Sequence, residues 1–570
     1  MSETRRVELA FVLLATLAPR TPEPDEDLRR AVAYLGLDVS ATTVARAGEG
    51  AALPAGILVG IVTGSVGPPV VAVALGAAAG LATGRGVERA PVALAAVRRT
   101  RALGATAGLV GRIGVRLHVE PSPERAAAVA ARTGEGRLAA SLARHVRLAR
   151  GGPGSGLRSF GGEWCDRFPA LARATRLLVA SADDPPAERA RTLSRALDAT
   201  LDGTRERVAD FASDVRGPLS GLYAFGVLLP LALVGTVPAA SVAGLRVGVP
   251  SVVLVYDLLL PVVLVAASAR LLVGRPVAFP PPSVGRDNPA VPDGAWRSAG
   301  AGVVAAAVAG VVAAALVGQW AVGVAALGGG LGVALVVRFR PTKQVRDRVR
   351  EAESDLPDLL RVVGRRVARG ESVETALADA GTRLDGETGR LVAEAVDRQR
   401  RLGATVPESF LGTEGALAAT PSRRFRGAAA LFALAAREGT AAGEALTEMG
   451  DHLDGLRRVE REGRRELASV TGTLANTAAL FGPLVGGATV ALAAGITGDV
   501  GVVGGRALPA AALGPAVGAY VLLLAATLTT LATGLERGLD RALAGYRVGL
   551  ALATATTTYL LAVVVAGALL

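Results

Sequence analysis

The chain has 570 residues, half of them hydrophobic, with a mean hydropathy of +0.42 and a net charge of +12. Its positive charge is almost all arginine, with Lys343 the one lysine, and its single cysteine, Cys165, excludes an internal disulfide. No recognition fold, aromatic stacking platform or zinc spacing accompanies the basic residues, which disfavours a nucleic-acid partner.

The apolar residues gather in long blocks nearly free of charge, and roughly 20 helical residues cross a bilayer's hydrocarbon. Segment 1–50 opens MSETRRVELAFVLLATLAPRTPEPDED, a basic start and a short apolar run before an acidic, proline-rich stretch. It lacks a small-x-small cleavage site and is expected to be cytoplasmic. Residues 51–84 are too long for one typical span and are divided at Gly67-Pro68-Pro69, which predicts a transmembrane hairpin, one tilted span being the alternative. Arg85, Arg89, Arg98, Arg99 and Arg101 follow, and such basic flanks mark the cytoplasmic side. Residues 85–216 read as a first cytoplasmic helical domain, halved by GGPGSG at 151–156.

A second transmembrane hairpin is expected over 219–274. Asp257 stands in its second span, in VVLVYDLLLPVVL, where a carboxyl is costly unless paired or hydrated. It is a candidate intramembrane polar contact, either locking spans together or gripping a passing apolar segment; protonation, or a bond to Tyr256 or a threonine, is the plainer alternative. Pro230, Pro261 and Pro483 are candidate helix kinks, since proline removes a donor and disturbs the preceding turn. Residues 275–297 form a proline-rich cytoplasmic linker, stiff and extended. A third hairpin, 298–339, turns at Trp320; a second helical domain fills 340–470; and 474–570 supplies three more spans. The expected fold is all-α and polytopic, with about nine transmembrane helices and two duplicated cytoplasmic helical bundles. The four expected outer loops hold only Arg246 and Arg506, which puts the N-terminus inside and Leu570 outside.

The duplication is read from spacing. In ESDLPDLLRVVGRRVARGESVETAL (353–377), Leu356, Leu359, Leu360, Val363 and Val367 share one helical face. Pro357 suits a first turn, Gly370 a C-terminal cap, and Ser372 an N-cap for a second helix. LVGRIGVRLHVEPSPERAAAV (109–129) repeats the pattern: Leu109, Ile113, Gly114 and Leu117 match Leu359, Val363, Gly364 and Val367 at an offset of 250. Farther on, Leu193, Arg205 and Pro230 match Leu446, Arg458 and Pro483 at an offset of 253.

The stretch at 355–377, the later REGTAAGEALTEMGDHLDGLRRVEREGRRELASVTG and the spans behind it resemble the type II secretion system F family, the platform proteins of type IV pilus, Tad pilus and archaellum assembly. The two-copy layout is most similar to the archaeal form. The resemblance covers about half the chain, more closely at 353–496 than at 105–240, where His118-Val119-Glu120 replaces the Arg-Gly-Glu turn of 369–371. It implies a non-enzymatic protein of the cytoplasmic membrane, with a hexameric secretion ATPase, pilin-like subunits and membrane lipids as partners and a homodimer as the expected assembly. It makes Arg361, Arg365, Arg366, Glu371 and Glu374 the candidate ATPase contact.

Chemistry is hard to find in the residues themselves. No Gly-x-x-x-x-Gly-Lys-Ser/Thr loop precedes Lys343, and GGPGSGLRSFGG reads as a flexible connector. His118, His145 and His452 are too scattered for a metal set, and no nucleophile motif points to a triad. No catalytic, cofactor-binding or metal residue is therefore assigned. The interleaved charges of 458–469 read as a solvated helix face and lipid anchor, with an ATPase patch as the alternative. A secondary transporter or channel with duplicated units is the competing function, since broken helices fit the prolines.

Overall fold

A computed structural model describes residues 3–64, 69–134, 136–150, 154–242, 248–275, 288, 291, 294–499, 509–538 and 540–569. The turn at Gly67-Pro68, the loops carrying Arg246 and Arg506, and nearly all of the proline-rich linker lie outside the described residues. Every described element is helical.

In chain order, α1 (Glu3–Thr16) and α2 (Glu26–Leu35) precede the helix pair α3 (Ala41–Gly64) and α4 (Pro69–Leu103). A first bundle comprises α5 (Thr106–Val119), α6 (Pro123–Thr133), α7 (Arg137–Ala149), α8 (Gly156–Glu163), α9 (Pro169–Ala180) and the long α10 (Pro186–Tyr223). The last continues through a π-helical segment, π1 (Ala224–Leu228), into α11 (Leu229–Val242). One rod then holds α12 (Val249–Val252), π2 (Val253–Leu259) and α13 (Leu260–Val273). Next come α14 (Ala295–Leu316) and α15 (Val322–Ser354). The second bundle comprises α16 (Leu356–Ala368), α17 (Val373–Arg383), α18 (Gly386–Leu402), α19 (Val406–Leu411), α20 (Arg423–Glu438) and α21 (Thr440–Asn476). The chain closes with π3 (Thr477–Phe481), α22 (Gly482–Asp499), α23 (Ala510–Arg537) and α24 (Arg541–Leu569).

Eight helices among the described residues are long and apolar enough to cross a membrane, making this an all-helical, multi-pass membrane protein. Their outward faces carry large apolar side chains, such as Ile57, Val303, Val311 and Leu561, all more than half exposed on the isolated chain. That is the surface a bilayer would cover. Between helices, small residues set the approach. A Cβ added to Gly76 would stand 2.7 Å from the carbonyl oxygen of Gly56, and one added to Gly80 2.8 Å from that of Ala52. Hence α3 and α4 fold back on each other across 51–84. Gly549 of α24 meets the Gly332 carbonyl of α15 at 2.7 Å in the same sense. In lipid, where apolar attraction between helices is weak, such contact supplies the packing.

The bundles instead have amphipathic helices around closed cores. Leu356, Leu359, Leu360, Val363 and Val367 are all buried on one face of α16, each contributing about 2 kcal/mol of burial. Ile113, Leu117, Leu142, Phe160, Leu171 and Leu193 fill the first bundle's core. The boundaries expected at 84/85, 216/219, 339/340 and 470/474 all fall inside continuous helices: α4, α10, α15 and the α21–α22 rod. Composition changes there from charged to apolar, but a helix satisfies its own backbone bonds in water and lipid alike, so nothing forces a break.

Candidate functional site

The turn between α16 and α17 is built as its residues require. Gly370 takes φ +92°, a left-handed conformation that a Cβ would oppose, and Ser372 Oγ accepts the Thr375 N–H at 3.2 Å. Of the five candidate contact residues here, Arg361 and Arg366 are engaged inside the bundle. Arg361 donates to Asp451 at 2.7 Å and Asp358 at 2.9 Å and lies 3.4 Å from Asp454, tying α16 to α21. Arg366 donates to Glu371 at 2.7 Å and faces Asp379 at 2.8 Å, closing the α16–α17 turn. Arg365 and Glu374 face solvent. In the first bundle, Glu120 occupies the corresponding turn between Arg116 and Arg125, and those guanidiniums hold its carboxyl below the usual range.

The three flagged prolines share a geometry. Each stands two residues beyond a π-helical segment: Pro230 after π1, Pro261 after π2 and Pro483 after π3. The residues four before them, Gly226, Asp257 and Ala479, all lie within those segments. A proline ring collides with the carbonyl four residues earlier, and a widened turn moves that carbonyl aside. The segments π1 and π3 sit 253 residues apart, the offset of the sequence repeat. The end of α10, just before π1, meets π3: Tyr223 Oη and Thr477 Oγ1 lie 3.0 Å apart, and either can donate.

Asp257 stands inside π2, part-buried, with Oδ1 buried and lacking a hydrogen-bond partner among the described residues. Its neighbour Tyr256 does not bond to it but donates to the Pro230 carbonyl at 3.1 Å, joining the π2 rod to α11. Tyr256 also meets Tyr520 of α23 edge to face, with centroids 5.2 Å apart, and the Tyr520 hydroxyl is likewise buried without a partner. The structure thus gathers Pro230, Asp257, Pro261 and Pro483 around one intramembrane core, whereas the five residues of 361–374 lie on the outer side of helices that surround a separate core in the second bundle.

Several contacts had no clear signal in the sequence. His452 of α21, 4% exposed, faces the Ala107 carbonyl of α5 across the two bundles at 3.3 Å. Burial pushes its pKa down to about 4, while half-buried Glu448 one turn earlier is pushed up to about 7 by desolvation and by the nearby carboxylates of Glu444 and Asp451. Asp540 is 2% exposed; its carboxylate caps α24 through the Ala542 and Leu543 N–H groups at 2.9 and 3.2 Å and pairs with Arg346 of α15. The string Gly538-Leu-Asp540 before an apolar helix is an N-cap signal, but its arginine partner lies 194 residues away.

Among the described residues, no group of three or more His, Cys, Asp or Glu side chains could hold a metal. His118 faces Glu444 at 3.4 Å and His145 faces Glu163 at 2.5 Å, separate from each other and from His452. No family model, curated protein or solved structure matches the chain.

Proposed function

We propose that the protein is the platform of a type IV pilus-like or type II secretion-like assembly machine, coupling a hexameric cytoplasmic ATPase to the extraction of pilin-like subunits from the bilayer. In this proposal the two bundles are duplicated cytoplasmic domains, α4 provides a ninth span, and the protein sits in the cell membrane with its N-terminus inside and its C-terminus outside. It acts without chemistry of its own. One observation carries it: α10 and α21 each run unbroken from a bundle through a π-helical segment into a candidate span, and the two rods touch at Tyr223 and Thr477. Such rods convert movement of a bundle into movement of a membrane helix.

The exposed pair Arg365 and Glu374 is the place for the motor to act, since Arg361 and Arg366 are used within the bundle. Arg365→Ala with Glu374→Ala should weaken ATPase co-purification and reduce surface filaments, while Arg361→Ala should lower bundle stability instead. Normal filaments and unchanged co-purification in the double variant, with filaments also retained on gene deletion, would defeat the proposal.

The unpartnered Oδ1 of Asp257 favours a second possibility, a secondary transporter or channel with duplicated units. Asp257→Asn separates the two. Lost proton- or sodium-coupled uptake in vesicles with filaments intact speaks for transport; lost filaments with no uptake in either protein speaks for the platform.

A further inference from the structure

Where the bundles meet the membrane helices they enclose a cavity of about 1140 Å³. Its wall draws on α5, α10, α20 and α21, on Arg275 just beyond α13, and on the C-terminal ends of α15 and α23. Twelve arginines and three glutamates line it, and carboxylates beyond the wall pair with some of these arginines, Glu120 with Arg116 and Asp347 with Arg350 at 3.1 Å. The three glutamates already have arginines beside them: Glu353 lies 3.4 Å from Arg424, Glu460 pairs with Arg464, and Glu536 lies 3.1 Å from Arg537. Apart from Thr133 and Ser354 the remaining side chains of the wall are apolar, with Leu431 and Leu456 among them.

So much like charge in one partly enclosed space is costly. Burial, with Arg464 close by, pushes the pKa of Arg275 down to about 10; burial, with Arg424 close by, lowers that of Arg457. The geometry holds these groups in place regardless. Arg275 donates to the Leu535 and Glu536 carbonyls at 2.7 and 3.1 Å, and Arg457 donates to the carbonyls of Glu353 and Ser354. The buried Nε of Arg116 has no acceptor among the described residues. The backbone carbonyls position the guanidiniums without neutralising them.

We propose that this cavity binds a phosphate-bearing amphiphile, with guanidinium forks on the phosphate and the leucine wall against the apolar part. Its volume suits a single small ligand. Two sources supply that chemistry: an acidic phospholipid or a soluble nucleotide. Position favours the lipid. Arg275 stands two residues past the span ending at Val273, Arg537 ends the span 510–537, and Arg464 lies six residues before the one starting at Val470. Anionic headgroups collect at that level. The site is independent of the platform proposal, since a chain that builds no filament would still fill it.

The test uses the full chain, purified in detergent and exchanged into nanodiscs of phosphatidylglycerol, phosphatidylcholine or their mixture. Native mass spectrometry counts retained lipid, and isothermal titration measures ATP and inorganic tripolyphosphate. Arg426, Arg437 and Arg461 are exposed side chains on the wall, away from the core. The triple variant R426Q/R437Q/R461Q should weaken retention of phosphatidylglycerol roughly 10- to 100-fold, and the corresponding triple lysine variant much less. Phosphatidylglycerol retained over phosphatidylcholine and displaced by tripolyphosphate supports the site with lipid as its source. ATP binding that the triple variant loses, without lipid preference, supports it with a soluble source. Equal retention of both lipids with no tripolyphosphate binding, or retention unchanged in a triple variant that melts like the wild type, overturns it.

Discussion

In the second bundle a Cβ on Gly443 would stand 2.4 Å from the Ala368 nitrogen, and one on Gly364 2.7 Å from the Gly443 carbonyl, so α16 and α21 are pressed backbone to backbone. The position 250 residues before Gly364 is Gly114, and a Cβ there would meet nothing within 4 Å. The first bundle spends its close approach elsewhere: Gly111 of α5 faces Met449 and His452 of the other bundle's long helix. Its attachment also differs. Arg99 and Arg137 lie over the Tyr34 ring at 4.5 and 4.4 Å, linking the first bundle to the N-terminal helices, whereas Arg346 of α15, leading into the second bundle, is tied to the α24 N-terminus by the buried pair with Asp540. The same order of helices thus gives one bundle whose first and last helices meet backbone to backbone and another whose first helix packs on its neighbour's long helix. A repeated pattern specifies the helices, and single residues decide what each packs against.

The largest expected effect removes the second bundle's attachment. Asp540→Ala strands the Arg346 guanidinium and uncaps α24, and should cost about 3–5 kcal/mol. Hydrogen exchange should rise in α15 and α24 while the first bundle keeps its protection; equal loss in both bundles would mean that they unfold as one unit.

The contact between the bundles is tested next, through pH. His452 has its folded pKa depressed to about 4 from 6.5, so between those values the unfolded chain holds the extra proton and stability rises with pH. Glu448 has its folded pKa raised to about 7 from 4.5, so over that range the folded chain holds the extra proton and stability falls with pH. The two slopes oppose each other between pH 4.5 and 6.5. Relative to the wild type, Glu448→Gln should gain stability with rising pH by about 1.4 kcal/mol per unit, and His452→Leu should lose it by a similar amount. Fluorescence of Trp164, buried in the first bundle, reports the transition. Parallel curves for both variants and the wild type would remove the two groups from the balance.

The smallest effect compares the glycines directly. Gly443→Ala forces α16 away from α21 and should cost about 1–3 kcal/mol. Gly114→Ala, with room for its methyl, should be neutral or stabilising by up to about 1 kcal/mol through helix propensity. A reversal of that order in thermal melts would mean that the bundles pack alike.

The sequence makes the local devices visible. The turn at Gly370 and Ser372, the amphipathic face of α16, the apolar blocks and the three prolines each rest on residues within a few positions of one another. Features that depend on distant partners are not visible that way. Arg361 and Arg366 read as surface charge until α21 and Asp379 are beside them. Tyr223 and Thr477, or Arg346 and Asp540, become pairs only once the helices are assembled. The arginine-lined cavity draws on elements from α5 to α23. Domain edges drawn from composition also fall inside helices, because a change of solvent along a helix leaves its backbone bonding unchanged.

That continuity has a mechanical consequence. Because α10 and α21 pass into their apolar rods without a break in the helix, a swivel of either bundle in water reaches its span in oil through continuous backbone. A torque applied outside the bilayer would be delivered within it, and the first compliant place it would reach is the loosened winding ahead of each proline.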